Sequence, residues 1–558
     1  MQSTRQVSLA LEEIAALLEF AGESRFKAHA YRRAAEVVDT LGDELGPLVE
    51  QGRLQELEGI GATLSQQLEE LWNTGSSEYL VRLRNAQPPG VGELVQVKGL
   101  TPRRIRSLHA ALGIASVLEL RDACAAGKVR TISGFGQKTE ANLLAACERW
   151  LRRDEQVPDP VLLPRALELA LLIEKRLSSA AEVVLLAGAL RRGAESVREL
   201  EFVIVGDAEA ALEQVSGLRQ VLRTDRAART AYLTEALTLK LHTTSRSSLG
   251  TAWIRHTGSA GHVEALVERA RARGIPDATT FAGEAELYHA LGLAFIPPEL
   301  RNGGDELDEA ERGDFSDLLA LTDIQGMVHC HTSYSDGKNT ILEMARAAHA
   351  LGMKYITITD HSPSAHYARG VAIDRLKEQW DEIAAAQEQV PIRILRGTES
   401  DILSDGSLDF PDEVLERFEV VIASIHARHR MDGPTMTARL GRALSLPLFK
   451  IWGHALGRIL NHRAPIDCDV PAVLDRLAAS RGAIELNADP HRLDLPPDWI
   501  PAARERGIPF VVSVDAHSTR GLDVLSYGVS MARRGGVRKS QVLNALPPGE
   551  FAERVRPF

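Results

Sequence analysis

The chain has 558 residues, 44% of them hydrophobic and 25% charged, with a formal net charge of −11. That length exceeds what one hydrophobic core supports, so four or five domains are expected, and no apolar run is long enough to span a bilayer. Cys124, Cys147, Cys330 and Cys468 are scattered without a CxxC pair, which excludes a disulfide framework and a thiolate zinc site; the acidic sum excludes a uniformly basic DNA sleeve but permits a local basic patch.

The first segment, MQSTRQVSLALEEIAALLEF, reads as an amphipathic helix and lacks the pattern of a secretory signal, so a cytoplasmic, nucleoid-associated protein is expected. Residues 1–80 are helical and acidic. Residues 81–153 reverse the sign, with Arg82, Arg84, Lys98, Arg103, Arg104, Arg106, Arg121, Lys128 and Arg130 against few acids.

A short pattern recurs three times across these segments, as LEGIGATLSQQLEEL, VKGLTPRRIRSLHAAL and ISGFGQKTEANLLAA. Glycine allows the tight turn between two helices, and the free amides at the start of the second helix can bind a phosphate. The pattern resembles the helix-hairpin-helix motif, which implies DNA-backbone contacts at Gly59, Gly61, Gly99, Gly134, Gly136 and Lys138, with Arg103 and Arg104 alongside. The second copy, Gly99-Leu100-Thr101, lacks the second glycine.

After the proline-bearing linker RDEQVPDPVLLP come two apolar strands, EVVLLAGAL and ELEFVIVG, which open an α/β region. The acid-rich stretch DELDEAERGDFSDLL reads as a solvated linker helix. From about residue 320 strand, loop and helix alternate through YITITDH, IRILRGTE, VVIASIH, FKIWGH, AIELNA and FVVSVDAH, the pattern of parallel strands with helical crossovers.

Most of these strands end in a metal-competent side chain: His361, Glu399, His426, His454, then Asp515 with His517. In a β/α barrel the C-terminal strand ends converge on one face, so these residues meet in space, joined by His329, His331 and Asp336. A single histidine is more often a core or surface residue, but recurrence at strand ends argues for a site. Nine nitrogen and oxygen donors exceed the needs of one ion, so two or three ions of Mn2+, Zn2+ or Fe character are expected. Such clusters supply Lewis acidity for in-line displacement at phosphorus. Asp360 is a candidate orienting group behind the ligands, and Arg458, Arg492 and Arg533 are candidates to neutralise a substrate phosphate or, equally, structural ion-pair partners.

The motifs HCHTSYSDG, ITDHS, GTESDIL, SIH, WGHALGR and VDAHS resemble the PHP (polymerase and histidinol phosphatase) family, and all nine family ligand positions are filled. The resemblance implies a distorted β/α barrel that hydrolyses phosphoesters. Upstream, SRFKAHAYRRAAE, GFGQKTEANLL, AGALRRGAESVRELEF, TGSAGH and ELYHALGLAFIPPELR resemble the family X DNA polymerases that are fused to PHP domains. Together they imply a multidomain α and α/β chain. Residues 1–80 form a helical domain with a helix-hairpin-helix, 81–153 a fingers-like DNA-binding domain, and 154–232 a nucleotidyltransferase-like palm. Residues 233–302 form the thumb, 303–320 an acidic linker and 321–558 the PHP domain.

The polymerase resemblance implies a two-ion palm, with Mg2+ or Mn2+ held by Asp-x-Asp and a later aspartate. This chain has Glu199-Leu200-Glu201 and, at the expected third place, Lys240. Glutamate misplaces the charge by a methylene and a lysine ammonium repels a cation, so polymerisation is expected to be weak, altered or absent. Asp207 is a conceivable substitute. The family's Gly-Ser reads Gly188-Ala189, with Arg191, Arg192, Thr257, Gly258 and Ser259 left to meet a nucleotide. The GIGATLSQQLEEL hairpin has no lysine for a Schiff-base lyase.

The expected protein is a monomeric DNA-repair enzyme acting on primer-template, gapped or 3′-ended DNA, with a 3′ to 5′ exonuclease in the PHP domain, dNTP as a further ligand and no membrane partner. The alternatives are a gap-filling polymerase working through Glu199 and Glu201, a small-molecule phosphatase of the histidinol phosphatase type, and a non-catalytic DNA scaffold.

Overall fold

The computed structural model describes residues 4–558 except 22, 24, 42–44, 58, 87–92, 95, 96, 98 and 152–158; Lys98 and the side chains of Arg84 and Arg103 thus lie outside the described residues. The chain divides into two compact units, Met1–Val157 and Pro158–Phe558.

The first unit is helical and has two separate cores. In helix Thr4–Phe20, Val7, Leu11, Ile14 and Leu18 recur at helical spacing and bury one face against Tyr31, Ala35 and Val38 of helix Arg25–Leu41 and Leu68 and Leu71 of helix Ala62–Thr74. The second core gathers Ile105 and Leu108 of helix Pro102–Leu112 with Val117, Leu120, Phe135, Leu143 and Cys147. Burial pushes the thiols of Cys124 and Cys147 up to about 11 and about 12, so both act as small apolar residues.

The second unit holds two sheets beside a short pair, β1 (Val161–Leu162) with β3 (Ser196–Val197). The first sheet contains β2 (Ala181–Ala187), β4 (Glu199–Gly206), β5 (Val221–Asp225), β6 (Thr230–Leu233) and β7 (Thr238–Thr243), in the order β2-β4-β7-β6-β5. Only β4 and β7 run parallel; the other neighbours are antiparallel. Because β7 lies inside this sheet, the palm-like element runs past residue 232. The acid-rich stretch is not a solvated linker. Its helix Glu306–Arg312 is docked: Glu306 is buried and accepts from His262 Nδ1 at 2.7 Å, while Glu309 pairs with Arg538.

The other sheet is all parallel: β8 (Gly326–Cys330), β9 (Tyr355–Ile358), β10 (Arg393–Asp401), β11 (Val420–Ser424), β12 (Lys450–Trp452), β13 (Gly482–Asn487) and β14 (Phe510–Ser513), in chain order. Helices such as Ile341–Ala350, Leu376–Gln387 and Gly433–Leu444 make the crossovers, which is why the strands are buried, near-continuous apolar runs. The sheet closes on itself beyond β14. Val514 N–H donates to Val328 O (3.2 Å), Ala516 N–H to His329 O (3.0 Å), and His331 N–H to Ala516 O (2.9 Å).

Side-chain alternation then sorts each strand by height. Leu395, Ile422, Ala483 and Val511 join Phe551 and Val555 of the final helix in one apolar plug. Two and four residues further along the same strand faces come Gly397 and Glu399, Ser424 and His426, Glu485 and Asn487, and Ser513 and Asp515. The barrel is apolar at one end and carries its polar donors at the other.

Candidate functional site

The nine residues singled out as ligands converge at the C-terminal end of the barrel, and Glu399 is their hub. Its Oε1 lies 2.9 Å from His454 Nε2, 3.2 Å from His426 Nε2 and 3.3 Å from His329 Nε2; its Oε2 lies 2.9 Å from His361 Nδ1 and 3.6 Å from His331 Nε2. Asp515 Oδ1 sits 3.4 Å from His331 Nε2. Asp336 Oδ2 sits 3.4 Å from His517 Nε2 and 3.6 Å from His361 Nε2. Three groups each place donors within 4.8 Å of one another: His331, Asp336, His361 and His517; His329, His331 and Asp515; His361, Glu399 and His426.

Close as they are, several of these atoms are left unsatisfied. His329 Nε2, both nitrogens of His331, His361 Nδ1, His454 Nδ1 and Glu399 Oε2 are buried without a hydrogen-bond partner, although His361 Nδ1 and Glu399 Oε2 are only 2.9 Å apart. Buried polar atoms are costly to leave unpaired, so such a cluster fits cations that would satisfy them together. His329, His454 and Asp515 also adopt left-handed backbone (φ 66°, 23° and 48°). Strain of this kind costs roughly 1–3 kcal/mol per residue and concentrates at functional sites.

Electrostatics hold the carboxylates ionised. Burial would raise Glu399 and Asp515, but the surrounding imidazoles, with Arg492 at Asp515, bring both well below the usual carboxylate range. Burial would lower His361 and His426, yet Glu399, with Asp336 or Asp401, raises them to about 10 and about 9. Burial and the imidazoles of His517 and His361 lower His331 to about 4.

Three site residues escaped the sequence reading. Glu485 on β13 accepts from His329 Nδ1 at 2.5 Å and from the backbone N–H of His454; Asp401 on β10 accepts from His426 Nδ1. Each fixes a ring so that Nε2 faces the cluster. The signal was a carboxylate inside a wholly buried strand in AIELNA, and a second acid two residues after Glu399 in GTESD. Tyr367 is 68% exposed, with its ring 5.9 Å from His361 and 6.1 Å from His426, at the mouth of the site.

Several expectations are corrected. Asp360 touches no candidate ligand imidazole: it accepts from Thr332 N–H (2.8 Å), Thr332 Oγ1 (2.7 Å), Ser335 Oγ (2.5 Å) and Gln379 Nε2 (2.7 Å), and so acts on the ligands only through the loop between His331 and Asp336. Arg458 is consumed by Glu195 and the carbonyls of Arg492 and Leu493. Arg533 bonds Glu299 (2.7 Å) and Leu319 O (2.9 Å). Arg492 alone of the three stays at the cluster, with Nε 3.5 Å from Asp515 Oδ2 and a buried, unpartnered Nη1.

In the palm-like sheet the register decides the fate of the acidic pair. Glu199 lies beside Thr238, Glu201 beside Lys240 and Val203 beside His242, so the face bearing both glutamates receives Thr238, Lys240 and His242 from β7. No carboxylate stands there. Lys240 Nζ meets Glu199 Oε1 at 2.6 Å and His242 Nε2 meets Glu201 Oε2 at 2.9 Å. Asp207 is no substitute, because it caps helix Ala208–Ser216 at the far end of β4, six residues and about 20 Å from Glu201.

The expected nucleotide ligands are also engaged elsewhere. Arg191 forms a fork with Glu284 (2.7 and 2.8 Å), bonds Thr257 Oγ1 (2.9 Å) and lies over Trp253, and Arg192 donates to Thr257 O (2.6 Å). Ser259 caps helix Ala260–Ala272 through His262 N–H, and Gly258 is the C-cap residue of helix Leu249–Thr257. Gly188 is left-handed (φ 70°), and a Cβ there would lie 2.6 Å from Glu201 Oε1.

In the first unit Gly59, Gly99 and Gly134 all have φ between 87° and 94°. Gly61 starts helix Ala62–Thr74 without a side-chain cap, and Gly136 and Lys138 are exposed at the start of helix Gln137–Leu151. The middle copy differs because Thr101 accepts from Arg104 N–H, while the Arg104 side chain donates to Gly99 O (2.8 Å).

Residues 4–77 match the model of a helix-hairpin-helix domain, 91–149 that of a SAM-like helix-hairpin-helix tandem and 328–455 that of the PHP domain. A DNA polymerase/3′-5′ exonuclease PolX of Bacillus subtilis is 33% identical over 557 residues, covering 96% of each chain. The chain belongs to the PHP-fused family X polymerases. The likeness to that relative thus spans both units, whereas other relatives match about two fifths of the chain or less. A protein named probable phosphatase from Thermoanaerobacter sp. (strain X514) is 28% identical over 39% of this chain and 88% of its own length. Another, from Caldanaerobacter subterraneus, is 28% identical over 34% of this chain and 74% of its own. PHP domains are metal-dependent, in keeping with the clusters above. No helix among the described residues is long and apolar enough to cross a membrane.

Proposed function

We propose that this family X chain is a DNA-repair enzyme whose barrel is a metal-dependent 3′ to 5′ exonuclease and whose palm has little or no nucleotidyl transfer. The observation that carries the first half is the convergence of nine imidazoles and carboxylates, five of which carry buried nitrogen or oxygen atoms without a hydrogen-bond partner. His329, His331, Asp336, His361, Glu399, His426, His454, Asp515 and His517 would hold two or three ions of Mn2+, Zn2+ or Fe type. Such ions supply an activated water and Lewis acidity at the phosphoryl oxygens.

The chain's own residues provide the rest. Arg492, with a free Nη1 beside Asp515, is the group suited to a substrate phosphate. Tyr367 offers an exposed ring on which a terminal base can stack. Glu485 and Asp401 hold the imidazoles of His329 and His426 in orientation. Polarity of cutting is taken from the name of the Bacillus relative.

DNA is the proposed partner through the turns at Gly59, Gly61, Gly134 and Gly136, whose neighbouring amides suit phosphates, with Lys138 beside them. Arg103, Arg104 and Gly99 belong to a weaker middle copy. A monomer in the cytoplasm completes the reading. The ion pair of Lys240 with Glu199 weighs against a working palm metal site for Mg2+ or Mn2+ and against dNTP as a productive substrate.

The test is a 5′-labelled primer-template incubated with Mn2+, with and without dNTPs, beside a His329→Ala, His331→Ala variant. Shortening from the 3′ end that disappears in the variant is the expected result. Hydrolysis of small phosphomonoesters that DNA does not compete with would overturn it in favour of a phosphatase.

A further inference from the structure

The palm face that lacks an aspartate triad carries a different constellation. Glu201 on β4, His242 on β7 and His256, near the C-terminal end of helix Leu249–Thr257, each bring one ligand atom within 4.8 Å of the others. The two imidazoles lie face to face, with centroids 3.6 Å apart and planes 12° from parallel. Within the group, His242 Nε2 lies 2.9 Å from Glu201 Oε2, so the carboxylate and this ring already share one point. All three residues are half-buried.

The nearby cations have other hydrogen-bond partners. Lys240 is on Glu199, Arg191 is on Glu284, and the Arg192 guanidinium donates to Thr257 O. The space in front of the Glu201 carboxylate is kept open by a glycine, since a Cβ at position 188 would stand 2.6 Å from Oε1. His242 also lines a cleft of about 430 Å3 together with Glu199, Tyr232 and Lys240.

We propose that Glu201, His242 and His256 form a mononuclear site for a transition-metal dication of the Zn2+ class, separate from the barrel cluster and tying the thumb helix to the palm sheet. Two imidazoles and one carboxylate are a borderline donor set that suits zinc. Magnesium prefers oxygen ligands in octahedral array, so the same residues select against it. Three protein ligands leave a fourth position for water or a phosphate oxygen.

The experiment uses the full-length protein, stripped with chelator, equilibrated with Zn2+ and freed of excess metal. Zinc per chain is counted by mass spectrometry for the wild type, a His329→Ala, His331→Ala variant and a His256→Gln variant. The expected result is one ion fewer in His256→Gln than in the wild type, with the DNA shortening of that variant unchanged. Crystals of the wild type should show an anomalous peak at the zinc edge between Glu201, His242 and His256, and the barrel variant should keep that peak. Equal zinc in His256→Gln and wild type, or no anomalous peak at Glu201, overturns the proposal. If His256→Gln does not fold, the wild-type anomalous map decides alone.

Discussion

Lys240 Nζ stands 2.6 Å from Glu199 Oε1 across the parallel strands β4 and β7, on the face where a two-magnesium palm would need its third carboxylate. Both side chains are about two-fifths exposed (39% and 45%). An ion pair so placed is worth at most about 1 kcal/mol. Lys240→Ala should therefore shift the urea midpoint little and leave 3′ shortening of DNA intact. Primer extension with Mg2+ and dNTPs should stay at background in wild type and variant alike. Wild-type extension that vanishes in Glu199→Ala would show that the palm polymerises after all.

Glu485 offers a cleaner handle on the barrel site, because it bonds the ring of His329 without facing the cluster itself. Loss of an orienting carboxylate commonly lowers metal affinity 10- to 100-fold, to take a rough range. Glu485→Gln, which keeps the shape, should weaken Mn2+ binding by about that factor in a competition titration. An unchanged affinity would make Glu485 a packing residue only.

The barrel site should also exchange metal for protons. In the metal-free protein His361 is held at about 10 and His426 at about 9, both above the ordinary histidine value. With folded values raised, their stabilising charge pairs are fully present below about 6.5 and are lost as pH rises through about 9 and about 10. Metal ligation needs those same nitrogens deprotonated, so ions compete with protons throughout this range. Binding at pH 7.5 should release protons, and apparent affinity should climb as pH rises towards 9. Calorimetry in buffers of different ionisation enthalpy measures the release; heats independent of buffer would contradict it.

Arg458 and Arg492 look alike in sequence and should behave differently. The Arg458 side chain is buried against Glu195 and two carbonyls, so Arg458→Ala should cost about 3–5 kcal/mol of stability while kcat of the folded fraction holds. Arg492→Ala should lower kcat by roughly 100-fold, the scale of losing one group that stabilises transition-state charge. Thermal unfolding set against single-turnover cleavage separates the two. A reversed pattern would mean that Arg458 reaches the substrate.

The barrel was legible because its chemistry follows strand periodicity: an apolar run ending in a histidine or carboxylate states both the element and the side chain's position at its mouth. Glu485 stayed hidden since its strand has no terminal ligand and its role depends on a neighbour 156 residues away. The role of Arg191 failed for a related reason, and the choice between phosphate and ion pair at Arg458 and Arg533 stayed open for the same one. A guanidinium in sequence has no partner, and Glu284, Glu195 and Glu299 become partners only once the chain is folded. The glycine turns were readable as turns, yet only the cap made by Thr101 shows that the middle copy has an amide already spent.

Closure of the barrel through Ala516 against His329 and His331 sets when the site can exist. A nascent chain that has emerged only as far as β13 carries His329, His331, Asp336, His361, Glu399, His426 and His454. It lacks Asp515, His517 and the strand that joins last to first. Cleaving capacity therefore arises as a late event of translation, after the DNA-gripping helices of the first unit have been made and are free to fold.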